Sequence, residues 1–262
     1  METLELMPKV LYKYRNSENE WNLKTLFDFE IYLASTSQFN DPYEGSIPFR
    51  YEPTDLTPEN IFLKLRELAK KDYPDWKEDE IHKYCFESHQ KNLFQDEAHI
   101  ERENQKNRIE INKMFGILSL TIHPLNYLMW SHYANSHKGF CLGFDTKILY
   151  DIVGTIGPVT YLDELPRLRL FGDAMDFHKK QLATKSTVWR YEGEFRLVKI
   201  RGSRETIRYP MEMLKQIYLG CKMVPEMKSR IIEFVISHEI NCEIFDLSLD
   251  DKIFKLNSLQ IY

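Results

Sequence analysis

The segment VWRYEGEFRLVK, residues 188–199, alternates in the manner of a β-strand. Trp189, Tyr191, Phe195 and Leu197 fall on one face, with Gly193 among them, while Arg190, Glu192, Glu194 and Arg196 form a row on the other. Two carboxylates at i and i+2 on a strand lie roughly 7 Å apart. Flanking arginines keep both ionised, because nearby positive charge favours the carboxylate. Such a pair suits the stabilisation of a developing cation, or acceptance of hydrogen bonds from sugar hydroxyls. The alternative is a solvated strand face whose arginines and glutamates pair weakly.

Other residues invite the same two-sided reading. Arg15 ends a segment that also carries Tyr12 and Tyr14. An arginine there can fork onto a phosphate or carboxylate, or remain a surface ion. Ser119 and Thr121 share a strand face and line a polar site or cap neighbouring backbone. In a helix expected over 125–137, Asn126, Trp130, Tyr133 and His137 share one side. That stripe either stacks on a ligand ring or faces the core. In the turn FNDPYEG, residues 39–45, Asn40, Asp41 and Pro42 serve turn formation, whereas turn chemistry does not require Glu44. Glu78, His82, Cys85, His89 and Asp96 fall along one side of a long helix expected from about residue 77. The i, i+7 spacing separates His82 from His89 by about 10.5 Å, too far for one ion, so no metal is expected. There is no Gly-rich phosphate loop, nucleophile elbow or HExxH.

The elements that must hold these residues are many and short. Strands are expected at 9–15, 30–36, 116–121, 140–145, 157–163, 188–199, 205–210, 217–220, 241–247 and 255–261. Helices are expected at about 20–29, 125–137, 167–184 and 225–237. The charged stretch 57–113 reads as a helical insertion or subdomain, since its apolar stripe is thin for a core helix. This mixture implies one α+β domain over 1–262, with mixed, mostly antiparallel, short-stranded sheets and flanking helices. With 43% hydrophobic residues the chain can bury a substantial core. A net charge of −5, with both signs interspersed, argues against a general nucleic-acid or membrane-surface binder. Four scattered cysteines form no CxxC pair and fit a reducing compartment. The N-terminus METLELMPKVLYKYR lacks a signal-peptide pattern, and no apolar run approaches membrane-helix length. The expectation is a cytoplasmic protein with no membrane partner.

LYKYR, LASTSQFNDPYEG, ILSLT, LMWSHYANSHKGFCLGFD and WRYEGEFRL together resemble an uncharacterised bacterial family. It is catalogued as domain of unknown function two-nine-seven-one. The resemblance runs from about residue 10 to 220 and brings no activity with it. A second similarity is one of motif order. ADP-ribosyltransferases of the arginine–serine–glutamate type carry an arginine on the first core strand, a Ser-x-Ser/Thr strand and a Glu-x-Glu. Arg15, Ser119-Leu120-Thr121 and Glu192-Gly193-Glu194 follow that order here, with Ser-Leu-Thr departing from the usual triplet.

That similarity implies an ADP-ribosyltransferase-like fold and NAD as a substrate, in a defence or toxin context. It implies that Glu194 holds the ribose and stabilises the oxocarbenium ion, while Glu192 orients the acceptor. Arg15 takes phosphate, and Ser119 and Thr121 support the nicotinamide pocket. Trp130, Tyr133, His137 or Tyr191 would flank a ring. The acceptor is an unidentified protein or nucleic acid, and the helical block offers a docking surface. Two other readings stand beside this one. One is a non-catalytic recognition module, marked by Glu194 facing solvent far from Arg15. The other is a metal-independent hydrolase or nuclease using Glu44, His132 or His137 as acid or base.

Overall fold

The computed structural model describes residues 7–48 and 50–262, without the side chains of Ala174 and Met175. Residues 1–6, part of the N-terminus read above for a signal peptide, lie outside the described residues. The strands are β1 (Val10–Arg15), β2 (Glu30–Tyr32), β3 (Phe115–Thr121), β4 (Phe140–Asp145), β5 (Ile156–Pro158), β6 (Thr160–Leu162), β7 (Thr184–Ser186), β8 (Glu194–Ile200), β9 (Thr206–Arg208), β10 (Leu214–Leu219), β11 (Glu243–Leu249) and β12 (Leu256–Gln260). Eight of them form one sheet in the order β12-β11-β10-β4-β1-β3-β8-β5. All pairs within it are antiparallel except β10 with β11, so the architecture is α+β with mostly antiparallel strands.

The alternation of side chains splits the apolar residues between the two sheet faces. Leu11, Phe140, Leu142, Phe144, Ile217 and Leu219 join the larger core. Helices α1 (Glu20–Phe27) and α6 (Thr146–Val153) contribute Leu26 and Leu149 to it, and the later helix Pro225–Ser237 contributes Ile231 and Val235. Tyr14, Cys141 and Tyr218, the alternate residues, pack on the other face against Met129 and Trp130. FCLGFD is therefore buried on both sides.

Between the first two core strands lies the helical block: α2 (Pro58–Asp72), α3 (Glu78–Gln90) and α4 (Glu97–Met114). Ile61, Leu65, Ala69, Ile81 and Cys85 give it a small apolar cluster separate from the sheet cores. The long helix expected from residue 77 is two helices. Asn92 takes a left-handed conformation (φ 51°), and Asp96 caps the second helix by accepting from His99 N at 2.5 Å. Among the described residues no group of three or more His, Cys, Asp or Glu side chains is placed to hold a metal ion.

Four further corrections bear on the site. The expected helix 125–137 is the shorter α5 (Tyr127–Tyr133), because Asn135, Ser136 and His137 all have positive φ. His137 therefore does not continue the stripe of Asn126, Trp130 and Tyr133. The expected strand 157–163 is broken into β5 and β6, and the helix expected at 167–184 is α7, Ala174–Leu182. The segment 188–199 is not one strand: Thr187–Glu192 is a 3-10 helix, Gly193 is left-handed, and β8 begins at Glu194.

Candidate functional site

β1 and β3 are neighbours in the sheet, yet they pair at a single position, Tyr12 with Thr121. β1 otherwise pairs along its full length with β4, and β3 with β8. The sheet thus opens between β1 and β3, and a cavity of about 700 Å³ lies in the split. Side chains from both sheet faces reach it. Lys13 and Arg15 alternate with the core residues of the opposite face, and Ser119 and Thr121 stand opposite Arg196 and Glu194 in the β3–β8 register.

One end of the cavity is a closed network of buried charges. Lys185 on β7 places its ammonium 2.6 Å from Glu192, 3.1 Å from Glu194 and 3.1 Å from Glu44. Arg196 on β8 bonds both oxygens of Glu194, at 2.8 and 3.2 Å, and a carboxylate oxygen of Glu44. Its remaining terminal nitrogen donates to the Leu182 carbonyl at 2.5 Å. Tyr133 completes the set by donating to Glu192 at 2.5 Å. Three carboxylates thus share two cations, all nearly out of water. Burial pushes Glu194 up, but Arg196, Lys185 and a hydrogen bond from Ser119 overcome it and hold its carboxyl at about 2. For Glu44 burial wins, and its carboxyl is raised despite the same two cations. Burial lowers Lys185, and Glu194, Glu44 and Glu192 more than reverse it.

The loop that delivers the two glutamates is fixed by local bonds. Thr121 Oγ1 donates to the Glu192 carbonyl at 2.5 Å, and Asn126 Nδ2 donates to the Tyr191 carbonyl at 2.7 Å. Glu194 N donates to Tyr161 OH at 2.8 Å, which sets the first residue of β8. Gly193 permits the turn at φ 51°, and a Cβ there would stand 2.7 Å from the His123 ring. The two carboxylates consequently flank a left-handed residue instead of alternating along a strand.

β1 brings two further cationic side chains to the cavity. Lys13 Nζ donates to the Ser119 carbonyl at 2.7 Å, and Arg15 Nε donates to Thr25 Oγ1 at 3.0 Å. Neither forms an ion pair among the described residues. Burial, reinforced by Arg15, pulls the Lys13 ammonium down to about 7. Burial also lowers Arg15.

Most residues singled out from the sequence meet here. Arg15, Asn40, Glu44, Ser119, Thr121, Tyr133, Glu192 and Glu194 all line the cavity. Asn40 Nδ2 lies 3.5 Å from Tyr133 OH. Four aromatic or imidazole candidates do not line it. Trp130 is fully buried, edge-on to Tyr14, with its indole N–H donating to Pro124 O at 2.9 Å. His137 is buried beside Ser131, 3.0 Å from its hydroxyl, and Tyr191 packs with the smaller core. His132 is exposed, also away from the cavity.

Sequence reasoning missed Lys13 and Lys185. Lys13 had a signal, its i, i+2 relation to Arg15 on one face of β1; Lys185, on a three-residue strand paired with β6, had none. Of the two arginines flanking the glutamates, Arg196 does the pairing, while Arg190 is exposed.

Residues 129–197 match the model of a family described as Protein of unknown function (DUF2971). The chain thus resembles that family as the motifs LMWSHYANSHKGFCLGFD and WRYEGEFRL implied. The matched stretch contains Tyr133, Lys185, Glu192, Glu194 and Arg196, and leaves out β1 and β3. No curated protein and no solved structure matches the chain, so the comparisons do not extend to ADP-ribosyltransferases. No helix among the described residues is long and apolar enough to cross a membrane.

Proposed function

We propose that the cavity binds NAD and that Glu194 assists cleavage of the bond between nicotinamide and ribose. The observation that carries this reading is the meeting of Arg15, Ser119, Thr121, Glu192 and Glu194 around one cavity, from segments far apart in sequence. Glu194 is buried and shares its cavity with Arg15. That is the opposite of the arrangement that would have marked a plain recognition surface. In the proposed reaction the C1–N bond breaks, its electron pair neutralises the nicotinamide ring, and the ribose acquires oxocarbenium character. A carboxylate held ionised beside C1 stabilises that charge. The acceptor, water or a group on a protein or nucleic acid, forms the new bond to C1 and gives its proton to Glu192. Arg15 holds phosphate, and Tyr133 flanks the departing ring.

The experiment is mass spectrometry of the full chain incubated with NAD, following free nicotinamide and mass gained by protein or nucleic acid. Wild type is expected to release nicotinamide, and Glu194→Gln, nearly isosteric and uncharged, to lose at least about 100-fold in rate, the scale of one lost electrostatic stabiliser. Equal release by both would remove Glu194 from the chemistry. A second reading, a non-catalytic ligand-recognition module, is favoured by the saturation of both Glu194 oxygens by Arg196, Lys185 and Ser119. NAD binding with no nicotinamide released would select it.

A further inference from the structure

The network of Glu44, Glu192, Glu194, Lys185 and Arg196 accounts for one end of the cavity only. Lys13 and Arg15 line the same cavity with only neutral hydrogen-bond acceptors among the described residues. A half-buried cation with no direct ion pair is costly to hold; Glu194 and Glu192 favour the charged Lys13 but do not offset its burial, so an anionic group from outside would complete the pair. The carboxylates next to them repel an anion from the inner end. A ligand's phosphate must therefore rest on Lys13 and Arg15, with the rest of the ligand directed either inward past the carboxylates or outward.

Outward, the lining becomes aromatic. Trp21, on the first turn of α1, is 78% exposed, and Tyr32, at the end of β2, is 40% exposed; both line this same cavity. The two come from different elements, so their meeting at one opening is a product of the fold and not of helix periodicity. Tyr32 OH is anchored by donating to Gln38 Oε1 at 3.0 Å. Lys24 Nζ lies 4.7 Å from the centre of the Trp21 ring, and Lys24 also lines the cavity. Exposed rings at a cavity opening, next to cations, suit a ligand that is planar and apolar at one end and anionic at the other. The aromatic residues expected from the sequence to flank a ring do not take this part, since Trp130 and Tyr191 lie outside the cavity and Tyr133 is bound to Glu192.

We propose that the outer half of the cavity is a subsite for a phosphorylated nucleoside, its phosphate on Lys13 and Arg15 and its base on Trp21 and Tyr32. This rests on the cavity being the functional site, and it specifies which end of a dinucleotide substrate faces solvent, but it does not require that the protein cleave anything. A sugar phosphate would satisfy the cations alone, and an apolar ring the aromatic residues alone. The juxtaposition calls for both in one molecule.

The test is calorimetric titration of the full chain with ADP and, separately, with ribose 5-phosphate. Wild type is expected to bind both, ADP at least tenfold more tightly. Trp21→Ala, a change at an exposed site, is expected to abolish that tenfold advantage while leaving ribose 5-phosphate binding unchanged. Lys13→Met is expected to weaken both at least tenfold. Absence of ADP binding by wild type, or ADP binding that survives Trp21→Ala unaltered, overturns the subsite. Ribose 5-phosphate binding that ignores Lys13→Met overturns the phosphate assignment. The cleavage reading fails separately: ADP bound through Trp21 with no nicotinamide released from NAD keeps the subsite and removes the chemistry.

Discussion

The two sides of the cavity handle buried charge in opposite ways. At the inner end every carboxylate meets a cation within 3.1 Å, and Tyr161 and the Thr121 and Asn126 side chains fix the backbone that presents them. On the β1 side, Lys13 and Arg15, two positions apart, donate to neutral oxygens and form no ion pair among the described residues. A saturated network resists removal of any member, because the rest are left desolvated and unpaired. A cation with only neutral partners has little to lose internally and much to gain from a ligand. The first arrangement gives rigidity and a fixed field, and the second gives binding capacity.

Arg196→Met is the severest way to break this contrast. The change keeps an apolar stem at this buried position but removes the guanidinium that pairs with Glu194 and Glu44 inside the protein. Loss of one partner from a buried ion pair typically costs about 3–5 kcal/mol, and that is the expected drop in stability by urea denaturation. A loss below about 1 kcal/mol, the range of exposed pairs, would mean the network is hydrated in solution and the contrast between the two sides collapses.

That network also shows where sequence reasoning stopped. The strands carrying Arg15, Ser119 and Thr121 were legible from alternation and turn residues, and FCLGFD was legible from its unbroken apolar run. The two glutamates were legible as a pair, but not their setting. Alternation continued through Gly193 on paper, whereas the chain turns there through a left-handed residue and enters β8 only at Glu194. Lys185 was invisible because its position follows from a parallel pairing of two three-residue strands, a tertiary fact without local periodicity. The stripe on α5 failed for a related reason. Positive φ at residues 135–137 ends the helix before His137, and packing against Tyr14 takes Trp130 into the core. Burial of Glu44 could not be read from a turn motif, though its lack of a turn role was a fair hint.

Gly193→Ala tests the turn itself, with an intermediate effect. A left-handed alanine is strained, and its Cβ would lie 2.7 Å from the His123 ring and 2.9 Å from Ile122 Cγ1. The expected cost is about 1–3 kcal/mol by denaturant titration. Activity should fall further than stability, because the loop moves Glu192 and Glu194 together. An alanine variant with unchanged stability and unchanged nicotinamide release would show that the geometry between the two glutamates does not matter to the site.

The smallest effect at neutral pH is expected from Lys13→Met, and its value lies in the sign. The groups acting on Lys13 are Arg15, Glu194, Glu192 and Lys185, with burial the largest influence, and together they bring its ammonium to about 7. An unfolded lysine titrates near 10.4. Between those two values the unfolded chain binds more protons than the folded one, so Lys13 makes the protein more stable as pH rises through that window. The methionine variant carries no such charge. Its stability should match or exceed wild type at about pH 6.5, and the wild type should close the gap by about pH 9. Urea midpoints for both proteins at those two values decide the point. Parallel pH dependence would mean Lys13 is fully solvated, and a lower stability of the variant at about pH 6.5 would mean that the lysine already has a counter-ion within the chain. Either result would erase the difference between the two sides of the cavity, whereas convergence with rising pH leaves Lys13 as a group whose charge a bound anion would favour.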